Sequence, residues 1–445
     1  MSLEAQAELV SLLNSGVSYE EIEKRGFSQH DIQSVALFRG DTKKLAYVLG
    51  VWQRHYEIED IAPLLVAFAA YVSQPLHGDP VWLILVGPPS TIKSEIVRSF
   101  GEDAKERVWP ISTLTPNTFI SGQAKQGSLL GKLDGKIVTI KDFTTILEKN
   151  KDTRSEIFSQ LREIYDGYFS KGTGNQDAPY QNVKARITII AGATSVIDHV
   201  ESRENLLGSR FVKIRTHAGD IRKTSEKARR MLGRETEVRQ EVGMITRAYL
   251  DSVKVAEVPT DERTNELLTE LAEFVARMRT GIARDWYGRI EYLPEPEGIP
   301  RLYKQFLTLA WCLCAILERS QVDNDVLRLI ARVGRDTIDS KRLKVLESLT
   351  KDEEKTSVIS ARVGLPVETA NRALDDLRLL GFATKGGNEN AGYAWCLTDE
   401  SVLTLMKFDS LERANPQGLG LFFGEAGSVS LMSYPVSKPN GAEVR

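Results

Sequence analysis

Val81-Trp-Leu-Ile-Leu-Val86 runs directly into Gly87-Pro-Pro-Ser-Thr-Ile-Lys-Ser94, and Glu95 to Phe100 continue as a helix. An unbroken apolar run of this length has the form of a central strand buried on both faces. Strand, glycine-led loop ending in Lys-Ser and helix, in that order, is the context a phosphate-binding loop requires. Backbone amides of such a loop and the helix N-terminus face a β-phosphate, where the helix dipole favours negative charge. Lys93 supplies a point charge to the β- and γ-phosphates, and the Ser94 hydroxyl suits Mg²⁺. Candidate nucleotide-binding residues are therefore Gly87, Pro88, Pro89, Ser90, Thr91, Ile92, Lys93 and Ser94. Ile92 stands where the general motif has glycine, which leaves open a strand-turn-helix whose Lys-Ser is coincidental.

Working outward, further apolar strand-like runs occur at Ile137–Ile140, Ile187–Ala191 and Phe211–Ile214, separated by helical stretches. That alternation argues a parallel α/β sheet with helices on both faces. We expect a core over 41–221 and a helical lid over 222–338. Residues 1–40 read as short helices, with Ser18-Tyr-Glu-Glu21 and Ser28-Gln-His-Asp31 at capping-box spacing. They make a docking hairpin or a DNA-reading helix-turn-helix. Over 339–410, apolar spacing predicts helices around Leu343–Leu349, Thr356–Val363 and from Pro366. Phe382 to Leu397 alternates around Gly386, Gly387 and Asn388, completing the pattern of a winged helix. Residues 411–445, rich in Gly, Ser, Pro and Asn, read as a flexible tail.

The 445 residues carry a net charge of only −3, so any nucleic-acid surface must be local. Cys312, Cys314 and Cys396 are expected to be reduced and buried, too few for a metal cage. With no signal peptide and no apolar run approaching a membrane span, a cytoplasmic protein without membrane contact is expected.

An acid is expected after the second strand-like run, and Lys141-Asp142-Phe143 supplies Asp142. Glu148 is a candidate substitute. Thr194 ends the run Ile187 to Thr194, where a hydroxyl can hold a γ-phosphate or the attacking water.

The loop Gly87–Ser94 resembles that of the minichromosome maintenance (MCM) helicases, Gly-Asp-Pro-Ser-Thr-Ala-Lys-Ser, which also lacks the glycine before lysine. The likeness extends over roughly 80–315. Lys141-Asp142-Phe143 stands at the family's Asp-Glu-Phe: aligned on Phe143, Asp142 takes the place of the glutamate, and aligned by charge it is the metal acid with Phe143 in place of the glutamate, so either register holds one acid. Tyr168 to Gly174 and Val183 to Thr194 resemble the pre-sensor hairpin and sensor strand, and Leu206-Leu-Gly-Ser-Arg-Phe211 resembles Leu-Leu-Ser-Arg-Phe. Gly298-Ile-Pro-Arg-Leu-Tyr-Lys-Gln-Phe306 resembles the start of the lid helix.

The resemblance implies a AAA+ core, a parallel sheet sandwiched by helices, that binds ATP and Mg²⁺ through Ser94 and Asp142. It makes Lys171 a hairpin cation on DNA, single-stranded or forked, in a central pore. It makes Thr194 a polar sensor, Arg210 an arginine finger completing a neighbour's site, and Arg301 a second phosphate-sensing arginine. A homo-oligomeric ring, hexameric by default, follows.

The family's large N-terminal domain is missing, and the segment around Thr115 to Gly127 is short for its helical insert, so the expectation is a reduced helicase or translocase of a phage or mobile element. An ATP-switched loader that remodels a protein partner is the alternative. A σ54-type activator is disfavoured because no Gly-Ala-Phe-Thr-Gly-Ala loop is present. Gln417-Gly-Leu-Gly-Leu-Phe422 resembles peptides that bind a sliding clamp, with a chance match in a glycine-rich tail as the competing reading.

Overall fold

The computed structural model describes residues 19–28, 45–101, 106–119, 129–172, 180–198, 200, 210–291, 295–388 and 392–413. Its centre is a five-stranded parallel sheet of β1 (Trp82–Val86), β2 (Val108–Ile111), β3 (Ile137–Ile140), β6 (Thr188–Ala193) and β7 (Phe211–Arg215). The spatial order is β2-β3-β6-β1-β7, compatible with a Rossmann-like or AAA+ core. β2 was not among the expected strands: its sequence, Val-Trp-Pro-Ile, is short and carries a proline. That residue is tolerated because β2 lies at the edge of the sheet.

Both faces of the sheet are buried, and strand alternation sorts the side chains into two cores. Trp82, Ile84 and Val86 of β1 face one core, with Val138, Ile140, Ile189 and Ala191. Helix α7 (Lys151–Tyr165) covers this face through Ile157, Phe158, Leu161, Ile164 and Tyr165. Leu83 and Leu85 face the other core, covered by α2 (Leu45–His55), α3 (Ala62–Val72) and α4 (Lys93–Ser99). All of α3 is buried, because β1 and β6 lie on one side of it and α11 (Pro300–Ile316) on the other. Its sequence, APLLVAFAAYV, is accordingly apolar all round.

The second core continues without a break into α9 (Glu235–Ser252), α10 (Glu262–Met278), α11 and α12 (Asn324–Thr337). A buried ionic network fastens α12 to the edge strand. Lys213 and Arg215 of β7 reach Asp198 at 3.4 and 2.9 Å, while Arg215 N donates to Asp336 of α12. Burial alone would raise the Asp198 carboxyl, but the two cations outweigh it and hold the group at about 2.

The same core reaches the C-terminal elements: α13 (Ser340–Ser348), β8 (Glu354–Lys355), α14 (Thr356–Val363), α15 (Val367–Leu379), β9 (Ala383–Asn388) and β10 (Gly392–Leu397). β8, β10 and β9 form a three-stranded antiparallel sheet in that order. α16 (Asp399–Arg413) follows, a helix the sequence reading did not anticipate, so the chain remains helical beyond residue 411. Of the expected N-terminal segment, the described residues hold one short helix, α1 (Tyr19–Lys24). Ser18, Gln29 to Asp31 and the tail motif Gln417–Phe422 lie outside the described residues, whereas Tyr19 to Glu21 open α1. Cys312 and Cys314 are buried, as expected. Cys396 is not: on the narrow antiparallel sheet it is half-exposed, with its sulfur 2.9 Å from the Thr384 hydroxyl. Among the described residues no helix is long and apolar enough to cross a membrane.

Candidate nucleotide-binding site

At the carboxyl ends of the parallel strands, where open α/β sheets bind ligands, β1 delivers the loop Gly87–Ser94 to the start of α4. Gly87 sits where nothing larger fits: a Cβ there would lie 2.1 Å from Thr216 Oγ1 and 2.7 Å from the Thr216 carbonyl. Thr216, just past β7, donates its amide to the Val86 carbonyl and pairs its hydroxyl with that of Thr91 at 3.3 Å. Ser90 takes φ 60°, a left-handed turn of the kind that aims successive amides at an anion.

Lys93 is buried, and its ammonium is held by the Pro88 carbonyl and the Thr91 hydroxyl. Burial pulls its pKa below the usual lysine range, and the nearby Asp142 carboxylate opposes that shift. The cation therefore rests on its own loop, in position to exchange a carbonyl for a phosphate oxygen.

Asp142 follows β3 and is exposed, accepting a hydrogen bond from the Thr144 amide at 3.0 Å. Thr144 links it to Thr194: the Thr194 amide donates to Thr144 Oγ1 at 3.0 Å, and the two hydroxyls are 3.3 Å apart. Lys93, Asp142 and Thr194, chosen from three separate sequence motifs, thus lie on three neighbouring strand ends.

Gly192 of β6 makes this closeness possible. A Cβ there would stand 2.7 Å from the Lys141 carbonyl and 3.8 Å from Lys93 Cβ. Neither Gly192, Thr144 nor Thr216 was singled out from the sequence. Only Gly192 carried a usable signal, since glycine inside a strand marks close backbone approach.

Phe143 is fully buried, 6.2 Å from the Phe158 ring and 5.6 Å from that of Phe211. It belongs to the core, so it does not face the carboxyl-end cluster. Glu148, the candidate substitute acid, is exposed at the far end of α6 (Thr144–Leu147). The Ser94 hydroxyl and the Asp142 carboxylate are both oxygen donors, the type that suits Mg²⁺ with water and phosphate oxygens.

Arg210 and Arg301 are elsewhere. Arg210 precedes β7, whose first residue pairs with Trp82 at the amino end of β1. Along the strands this is about 20 Å from Gly87. Arg301, in the first turn of α11, lies beside it. The two guanidinium carbons are 5.9 and 5.8 Å from the Tyr165 ring centroid. Burial lowers the Arg210 pKa, and repulsion from Arg301 lowers it further. Asp166 takes Arg210 at 3.0 Å, Glu297 lies 3.7 Å from Arg301, and Gln305 donates to the Arg210 carbonyl. Burial raises the Tyr165 pKa well above the ordinary tyrosine range. Its ring is a neutral platform for the two cations.

Lys171 lies on β4 (Tyr168–Gly172), paired with Gln181 of β5 (Tyr180–Lys184). The connection between these strands lies outside the described residues, as does Leu206-Leu-Gly-Ser209 before Arg210. Among the described residues no group of three or more His, Cys, Asp or Glu side chains is placed to hold a metal. No protein-family model matches the chain, and no curated protein matches it.

Proposed function

We propose that this chain is a AAA+ ATPase whose subunits associate head to tail, so that each ATP is bound by one subunit and completed by the next. The observation that carries this reading is the division of charge between the two ends of the sheet. Lys93, Asp142 and Thr194 stand at the carboxyl ends, whereas Arg210 and Arg301 stand together at the amino ends. Neither arginine can reach the nucleotide of its own subunit across about 20 Å of sheet. A head-to-tail interface brings the two half-sites together, and such an interface closes into a ring when its rotation allows. In that arrangement Lys93 and the loop amides bind the β- and γ-phosphates, and Asp142 with Ser94 holds Mg²⁺. Thr194 orients the attacking water, and Arg210 neutralises charge as the γ-phosphoryl departs.

The DNA-directed part of the proposal, translocation or unwinding in replication, rests on the likeness to MCM helicases and on Lys171 in a hairpin leaving the sheet between α7 and β6. The C-terminal order of three helices and an antiparallel sheet fits a winged helix. An ATP-switched loader is favoured by one observation, the single acid of Lys141-Asp142-Phe143, with Phe143 turned into the core.

A mixing experiment tests the shared site. Lys93→Ala and Arg210→Ala should each abolish ATP turnover alone. Mixed in equal amounts, they should recover about a quarter of the wild-type rate, because random assembly leaves about one interface in four with both halves intact. Failure of the mixture to recover any activity would reject the division. The recovered activity should rise with single-stranded DNA, and Lys171→Ala should remove that rise. Turnover indifferent to DNA would favour the loader.

A further inference from the structure

Of the six tryptophans, Trp52, Trp82 and Trp395 are fully buried and Trp109 and Trp311 partly so, whereas Trp286 is 96% exposed. Tyr287 beside it is 80% exposed. These are not frayed residues. They occupy the tip of a tight antiparallel turn closed by an Arg284–Ile290 bridge. Asp285 N donates to Arg289 O at 2.8 Å, Gly288 N to Asp285 O at 3.0 Å, and Arg289 N to the Asp285 carboxylate at 2.7 Å. Gly288 supplies the left-handed residue, φ 80°, that the turn requires. Arg284 ties the base of the turn down, donating to the Gly288 carbonyl and pairing with Asp376 of α15 at 2.6 Å. Two large aromatics are thus presented to water by a hydrogen-bonded turn, at a hydrophobic cost that a surface turn has no folding reason to carry.

We infer that the Trp286–Tyr287 turn is a docking element for a second copy of this chain, seated on the interface that the shared-site reading requires. Position supports this. The loop bearing the turn leaves α10 at Arg279 and returns at Glu297, which pair with each other. Arg279 also donates to the Phe211 carbonyl, and Glu297 faces Arg301. The turn therefore springs from the same end of the subunit as the Arg210–Arg301 pair. Charge decides the class of partner. Arg284 and Arg289 are balanced by Asp285 and Glu291, Arg284 is committed to Asp376, and Arg289 lies 5.6 Å from the Tyr287 ring. A phosphate backbone calls for surplus positive charge, which this turn lacks. Trp, Tyr and Arg together in a neutral setting are the residues that dominate protein–protein interfaces.

The inference rests on the shared-site reading, and wild-type protein separates the two. Because Trp286 is the only fully exposed tryptophan, acrylamide quenching of intrinsic fluorescence reports on it. Dilute single subunits should show a readily quenched fraction. Assembly with a non-hydrolysable ATP analogue, followed in parallel by mass photometry, should remove that fraction. The double variant Trp286→Ala/Tyr287→Ala should need at least about tenfold more protein to assemble. Its nucleotide affinity as a single subunit should be unchanged. An assembled wild-type species in which Trp286 stays quenchable overturns the docking role and leaves the shared site standing. So does a double variant that assembles normally but loses binding to a single-stranded oligonucleotide. Wild-type protein that never assembles, with Trp286 quenchable throughout, overturns both. Should the double variant fail to fold, the quenching result on wild-type protein still decides.

Discussion

The two ends of the central sheet solve opposite electrostatic problems. At the carboxyl ends Lys93 is wrapped by its own loop and opposed by the Asp142 carboxylate across a glycine. At the amino ends two guanidiniums are set beside each other over a tyrosine face, repelling one another. The first arrangement is built within one loop, from the Pro88 carbonyl and the Thr91 hydroxyl. The second is built from long side chains anchored by Asp166, Glu297 and Gln305, and it sets two cations side by side. On the proposed reading, binding and completion of a nucleotide site fall to different surfaces of one polypeptide.

The comparison breaks most decisively at its two cations. Arg210→Ala should lower ATP turnover by about 10³-fold or more, yet leave the affinity of an isolated subunit for ATP unchanged. Lys93→Ala should weaken that affinity directly. A fluorescent-nucleotide titration beside a steady-state ATPase assay separates them, and equal losses of affinity in both variants would sink the assignment.

Next in size is the ionic network that holds β7 to α12. Asp198→Asn leaves Lys213 buried without its counter-charge, and unfolding in urea should show a loss of about 3–5 kcal/mol. The wild-type carboxyl lies at about 2 when folded and near 4 when unfolded. A depressed acid stabilises the fold fully above the unfolded value and ceases to do so as pH falls through the folded one. About 2 kcal/mol should therefore disappear between roughly pH 4 and pH 2, and Asp198→Asn should remove that part of the acid dependence.

The smallest effect sharpens the carboxyl-end geometry. Gly192→Ala places a methyl 2.7 Å from the Lys141 carbonyl, which should cost about 1–3 kcal/mol of stability. Because the neighbouring groups are Lys93 and Asp142, nucleotide affinity should fall as well. Affinity unchanged beside reduced stability would show that Gly192 serves packing alone.

The loop Gly87–Ser94 was legible because it is local: strand, loop and helix are contiguous in the chain. Asp142 and Thr194 were found the same way, each at the end of an apolar run. Thr144 and Thr216 were not, because their roles come only from strands brought side by side. Phe143 shows the limit from the other direction. Beside Asp142 it invited two registers, and only its burial between Phe158 and Phe211 shows that it faces the core. Strand β2 and helix α16 escaped notice for a simpler reason, since a short edge strand with a proline and a mixed polar helix carry weak periodicity.

By itself the sequence determined the parallel α/β character and the strand, loop and helix around Gly87–Ser94, because apolar period and turn chemistry act over a few residues. Only the tertiary structure decided that Arg210 and Arg301, ninety-one positions apart by number (301 − 210), share one face and stand away from Lys93. That follows from the strand order, which sets β7 beside β1 in parallel and so sends the residue before it to the end of the sheet opposite the loop.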